Sequence, residues 1–256
     1  MLTEKQFRQF HEEGYISLGQ VASDAEIEGL RTRMDDIMMG RVLYEGMYFQ
    51  LDSETGAYGD VKGGGRKFLG PSVNYRKIQD LELDDRFLRY LQHPRFQGIT
   101  GQLIGPHISV FRSMFMNKPP QKGTLLPYHQ DGGSGWGLTI APILTVWTAL
   151  DDATQENGCV QIIPGSHRLG LLSERGHTIS AEHEAQHAKD EDSVFLEAKT
   201  GEVFVLHNWL LHRSGVNTID RPRRAFSVCY MDAATRSIKT GEGFPVVFGQ
   251  GALKAA

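Results

Sequence analysis

Cysteine is scarce: Cys159 and Cys229 are the only two in 256 residues. Two thiols support neither a disulfide framework nor a four-cysteine zinc site. No apolar run approaches the ~18–20 residues that a membrane span needs. The opening Met1-Leu-Thr-Glu-Lys-Gln-Phe7 has neither the basic start nor the apolar stretch of a secretory signal. A surplus of one charge is missing too. Against 27 Lys+Arg stand 31 Asp+Glu, for a net charge of -4, which gives no reason to expect a polyanion such as nucleic acid as partner. These absences lead to the expectation of a cytoplasmic chain that engages neither membrane nor nucleic acid. They say nothing of its oligomeric state.

Glycine and histidine are what the chain has in quantity, with 29 and 10 residues. Glycine above its ~7% average usage predicts many turns and favours a β-rich fold. The first third reads helical. Thr3 with Gln6, and Ser23 with Glu26, have the spacing of capping boxes. Ile27, Leu30, Met34 and Ile37 then recur at helical spacing as one buried stripe. Residues 40–75 show no period and read as a long loop, and loops of that length are usually functional or mobile. Residues 84–105 return to helix in two segments divided by Pro94.

From about residue 108 the period becomes strand-like. Candidate strands begin at Ile108, Ile143, Cys159, Val203 and Arg224, and Asn157-Gly158 reads as a hairpin turn. Helices first and short strands afterwards predict one mainly β domain over 1–256, an antiparallel sandwich or barrel with helices packed outside. The helical part would cover about 1–105 and the β core about 106–235. A polar stretch at about 170–195, with His177, His183 and His187, reads as an exposed insertion or lid.

The sharpest chemical feature is His129-Gln130-Asp131, with His212 far downstream. Residues i and i+2 on a strand share a face, so an imidazole and a carboxylate can meet one metal ion. A histidine from another strand would complete a two-histidine, one-carboxylate face. Such a face leaves about three of six octahedral positions open, as suits ferrous iron that must bind a cosubstrate and oxygen. The plain alternative is a strand-end pair bonded to a turn. Further on, Arg223 would share a strand face with the small residues Ala225, Ser227 and Cys229, leaving its guanidinium room for a carboxylate. Arg224 reads as a surface residue at a strand start.

The segments His129-Gln-Asp131, Trp147-Thr-Ala-Leu-Asp-Asp152, Glu156-Asn-Gly-Cys-Val160, Ile163-Pro-Gly-Ser-His167 and His212-Arg-Ser-Gly-Val-Asn217 together resemble the phytanoyl-CoA dioxygenase family. Phe10-His-Glu-Glu-Gly-Tyr15 and Met114-Phe-Met-Asn-Lys-Pro-Pro120 fit it as well. The resemblance implies a double-stranded β-helix (cupin-like jelly roll) and an oxygenase that uses Fe(II), 2-oxoglutarate and O2. It places the iron ligands on His129, Asp131 and His212 and the 2-oxoglutarate anchor on Arg223. Met114, Trp147 and Ser214 then line the cosubstrate pocket. Hydroxylation of a small organic substrate, with release of succinate and CO2, is the implied outcome. Desaturation and other oxidations use the same triad, while an aspartate ligand argues against halogenation. A coenzyme A thioester follows from the family name, yet no basic cluster suits its phosphates.

Other readings compete. A jelly roll of this kind could bind or sense a small molecule without turnover. His183-Glu-Ala-Gln-His187 satisfies the H-E-x-x-H pattern of zinc proteases, but its polar flanks give a helix nothing to bury. Gly133-Ser-Gly-Trp-Gly137 lacks the context of a phosphate loop; it reads as close approach beside the metal, with Trp136 as a substrate contact. His207 reads as a strand-end residue and His167 as a turn cap. Tyr128 and Gln130 stand between an outer-shell and a substrate role.

Overall fold

Both capping boxes form. Thr3 and Gln6 cap each other at the start of α1 (Glu4–Glu13), and Ser23 and Glu26 do the same for α2 (Asp24–Met38). The computed structural model describes residues 1–173 and 175–255. Between these helices Gly14, at φ 81°, turns the chain sharply into β1 (Tyr15–Gln20). The series continues with β2 (Tyr48–Leu51), β3 (Tyr75–Gln79), α3 (Asp85–Leu91) and α4 (Pro94–Leu103). Then come β4 (Ile108–Lys118), β5 (Leu126–Gln130), β6 (Leu144–Ala149), β7 (Val160–Ile162) and β8 (His177–Thr178). The chain closes with α5 (Ala181–His187), β9 (Val194–Leu196), β10 (Glu202–His207), β11 (His212–Ser214), β12 (Arg223–Asp232) and β13 (Val246–Phe248).

Two antiparallel sheets make the jelly roll. The larger runs β1-β10-β6-β12-β4-β3-β2, with β13 also paired to β4, and the smaller runs β8-β5-β11-β7-β9. Alternation along β12 assigns its two faces. Phe226, Val228 and Tyr230 join the core between the large sheet and the helices, together with Ile27, Leu30, Met34 and Ile37 of α2. Fully burying each such side chain contributes roughly 1.5–3 kcal/mol. Ala225 faces the other way, into a second core between the sheets with Trp147, Val160, Ile162 and Phe204.

Three expectations need correction. The helical first third contains β1, which pairs with β10 and extends the large sheet by an edge strand. The long loop at 40–75 contains β2, and β2 and β3 complete the opposite edge. These strands are short and bury few side chains, Ile16 in β1, Phe49 in β2, and Tyr75 and Ile78 in β3, so no period stands out in the sequence. Asn157-Gly158 is not a hairpin turn. It closes a 3-10 turn that carries the chain from β6 in one sheet to β7 in the other, where β7 pairs with β11 and β9. The insertion at 170–195 is partly woven in, since β8 pairs with β5. No helix among the described residues is long and apolar enough to cross a membrane.

Candidate metal and cosubstrate site

His129 and His212 sit opposite each other on the paired strands β5 and β11, with ring centroids 4.0 Å apart. Each imidazole has its Nδ1 2.9 Å from a backbone carbonyl two residues earlier, Pro127 O for His129 and Leu210 O for His212. A carbonyl only accepts, so Nδ1–H donates and Nε2 is left as the free lone pair. Burial, reinforced by His212 and His177, holds the His129 pKa well below its ordinary value, which keeps the ring in the neutral form that binds metals. Asp131 follows at the end of β5, its backbone N–H donating to Asn208 O at 2.7 Å. Its Oδ2 lies 4.0 Å from His212 Nε2, and the ligand atoms of all three residues fall within 4.8 Å of one another. Among the described residues no other group of histidine, cysteine and acidic side chains converges in this way.

Glycine makes room behind this cluster. The backbone of 132–133 crosses that of Gly176 so closely that a Cβ on Gly176 would collide with Gly132 O. Any side chain there would push the insertion off the strand that carries His129 and Asp131.

A cavity opens from the cluster and runs down the inside of the roll. Met114, Trp147, Ser214, Ser227 and Arg223 all line it. Arg223 is only 2% exposed, yet its Nε and Nη1 have no hydrogen-bond partner. Burial pushes its pKa down to about 10, with Cys159 and Asp151 acting against the shift. A buried guanidinium without a partner is costly, and a carboxylate is its matching occupant. The Trp147 indole N–H is buried and unpartnered as well. The residues therefore fit both groups: two imidazoles and a carboxylate for a ferrous ion, and an unpaired guanidinium for the far carboxylate of 2-oxoglutarate.

A profile of the phytanoyl-CoA dioxygenase family matches residues 10–225. The chain belongs to the phytanoyl-CoA dioxygenase family. It is 28% identical over 250 residues to a phytanoyl-CoA dioxygenase of Arabidopsis thaliana, covering 89% of this chain and 88% of that one. To phytanoyl-CoA dioxygenase domain-containing protein 1 of Danio rerio it is 26% identical over 265 residues, 91% of each chain. In three dimensions it is similar to the epimerase SnoN in complex with Fe3+, alpha ketoglutarate and nogalamycin RO, at TM-score 0.71 and 20% identity, over 93% of this chain and 87% of that one. This member of the phytanoyl-CoA dioxygenase family, with its His-Asp-His cluster in place, is a non-haem iron, 2-oxoglutarate-dependent dioxygenase.

The remaining expectations sort by side-chain direction. In this phytanoyl-CoA dioxygenase family member Gln130 points away from the cavity, its amide bonded to Gly170 O, Trp209 O and Leu172 N. It straps the insertion to β5 and touches no substrate space. Tyr128 faces the same way, under the Arg213 guanidinium. Arg224 is not on the surface: it is buried, bonded to Asp151 at 2.7 and 2.9 Å and to Asp35 at 2.8 Å beneath α2. Arg224→Ala is expected to destabilise the fold by about 2–3 kcal/mol. That is less than the 3–5 typical of a broken buried pair, because Arg31 still faces Asp151 at 3.4 Å. Chemical denaturation of the variant measures it.

His183 and His187 lie on the largely exposed α5, ring centroids 5.9 Å apart, outside any metal cluster among the described residues. His167 is buried and its Nε2 is 3.1 Å from His11 O, tying the turn after β7 to α1. His207 ends β10 as expected, but it also lines the cavity wall. Burial, with His167 and His11 adding to it, pushes its pKa to about 4. The unfolded chain takes up this proton near pH 6.5 and the folded one near 4. Stability from His207 is thus complete above pH 6.5 and drains away as pH falls through that window. His207→Asn keeps an acceptor for Trp209 N–H, now 3.1 Å from His207 Nδ1. It is expected to flatten the fall in melting temperature between pH 6.5 and 4.

Sequence reasoning missed several wall residues. Arg76 and Lys77 of β3, Arg112 of β4, and His177 of β8 all face the cavity. His177 stacks on His129 at 5.0 Å, while its Nε2 lies 3.1 Å from the Tyr58 hydroxyl. Burial, with Arg76 and Arg112 beside it, pushes the Lys77 pKa down to about 7.

Proposed function

We propose that this chain hydroxylates a small organic substrate, with His129, Asp131 and His212 holding Fe(II) and Arg223 holding 2-oxoglutarate. The convergence of two Nε2 atoms and one carboxylate at the head of a cavity that ends on an unpaired arginine carries this reading. Ferrous iron, when bound, supplies the activation of dioxygen that couples decarboxylation of 2-oxoglutarate, to succinate and CO2, with oxidation of a substrate C–H bond.

The chain's own part is positioning and exclusion of water. The Pro127 and Leu210 carbonyls fix the two imidazoles in one tautomer and orientation. Asp131 adds the single negative charge of the ligand set. Arg223 orients the cosubstrate from the far end, with Met114, Trp147 and Ser214 closing the walls around it. Tyr58 and His177 cover the side of His129 that faces the insertion. We place the enzyme in the cytoplasm as a single-domain protein, in keeping with two buried free cysteines.

Anaerobic ferrous titration, followed by measurement of succinate release and oxygen uptake with candidate substrates, tests the reading. Stoichiometric iron uptake with 2-oxoglutarate-dependent succinate release is expected. Absence of ferrous uptake would sink it. Iron and cosubstrate binding with no succinate from any substrate would indicate a sensing module instead.

A further inference from the structure

The charges lining the cavity do not balance. Arg76, Lys77, Arg112, Arg213 and Arg223 border it, against one acid, Asp131; the Arg213 guanidinium itself lies over the Tyr128 ring, outside the cavity. Arg213 is held by Asp190 at 2.6 Å. Arg76 donates to Gln50 and lies over the Tyr58 ring, with Asp52 near. Burial pushes the Lys77 pKa down to about 7. In the loaded site the two charges of the ferrous ion and that of Arg223 are cancelled by Asp131 and the two carboxylates of 2-oxoglutarate. Arg112 is left over. No hydrogen bond or ion pair reaches its guanidinium from any described residue, although its charge acts on Lys77, His177 and Cys229 beside the metal cluster.

Its placement is specific. On the paired strands β4 and β12, Arg223 is opposite Lys118 and Arg112 opposite Cys229. Six residues of strand put the two backbones roughly 20 Å apart, with Met114 between them. Arg112 is also held rigidly: its Cζ is 4.2 Å from the Trp136 ring centroid and 4.7 Å from that of Phe111. Those two rings stack on each other. Cation–π attraction to two rings holds the guanidinium in place while its N–H groups stay available for hydrogen bonding. Trp136 thus serves the cavity through Arg112, as a shelf beneath the cation.

We propose that the substrate is a carboxylic acid whose carboxylate seats on Arg112, presenting its carbon chain to the His129, Asp131 and His212 cluster. This deepens the oxygenase reading and rests on it. One planar fork matches the two oxygens of a carboxylate, whereas a phosphate would bring a further oxygen and a second charge to a single guanidinium.

The test uses the protein loaded anaerobically with Fe(II) and saturating 2-oxoglutarate, titrated calorimetrically with phenylacetate, octanoate, their primary amides and phenyl phosphate. The acids are expected to bind about 10- to 100-fold more tightly than the amides, the range of a charge-assisted pair. Arg112→Gln removes that preference, Arg112→Lys retains part of it, and both variants still bind 2-oxoglutarate. Equal binding of acid and amide, no detectable binding at millimolar concentration, a preference that survives Arg112→Gln, or tighter binding of phenyl phosphate each overturns the proposal. With iron and 2-oxoglutarate uptake intact, those results leave the oxygenase reading standing. Loss of that uptake in the wild-type protein removes both.

Discussion

Arg223→Ala is expected to raise the 2-oxoglutarate requirement by about 100- to 4,000-fold, since breaking a buried ion pair costs about 3–5 kcal/mol. Ferrous affinity should hardly change, because Arg223 lies at the end of the cavity away from the cluster. The same residue makes a second, opposite forecast. Without cosubstrate, its guanidinium is buried with two nitrogens unsatisfied. Replacing such a group by an apolar side chain of similar length stabilises by about 1–4 kcal/mol. Arg223→Met should therefore melt above the wild type when both are free of 2-oxoglutarate, and should lose the rise in melting temperature that 2-oxoglutarate gives the wild type. Thermal scans with and without 2-oxoglutarate decide it. A lower melting point for Arg223→Met in the free state would mean that the arginine is already satisfied. A cosubstrate requirement that rises for Arg224→Ala and not for Arg223→Ala would reverse the assignment of the two faces of β12.

Asp131→Ala is expected to bring succinate formation to background. Changes to groups that merely orient metal ligands cost about 10- to 100-fold in affinity, so deletion of the one charged ligand should weaken ferrous binding by more than about 100-fold. Folding should survive. Asp131 is half-exposed beyond the end of β5, and its backbone N–H to Asn208 does not depend on the side chain. Anaerobic iron titration beside a far-ultraviolet spectrum separates loss of metal from loss of fold. Succinate release by Asp131→Ala at the wild-type rate would show that the cluster is not the reaction centre.

Much of the site could be read in the sequence, for identifiable reasons. His129 and Asp131 share a face because strand side chains alternate, and the same rule separates Arg223 from Arg224. The caps at Thr3 and Ser23 are local, so three or four residues suffice to define them. What escaped is non-local. Gln130 looks like part of the metal motif, yet its amide serves three backbone groups of distant segments. Arg76, Lys77 and Arg112 belong to no motif and reach the cavity only because β3 and β4 pair alongside β12. The strands at 15–20 and 48–51 are the two edges of the large sheet, and each fully buries one side chain, Ile16 or Phe49, too few to show a period.

The neighbouring arginines at the head of β12 also bear on how the roll finds its alignment. Arg223 faces a cavity with space for a guest, and Arg224 faces two carboxylates beneath a helix. A slip of β12 by one position would turn each arginine to the opposite face of the sheet. A slip that brings Ala225 to the place of Arg224 would leave Asp151 and Asp35 without their cation, and a slip in either direction would take Phe226 out of the core beneath the helices. Electrostatics and packing thus reject the same error, so mispaired intermediates of this strand should be short-lived during folding.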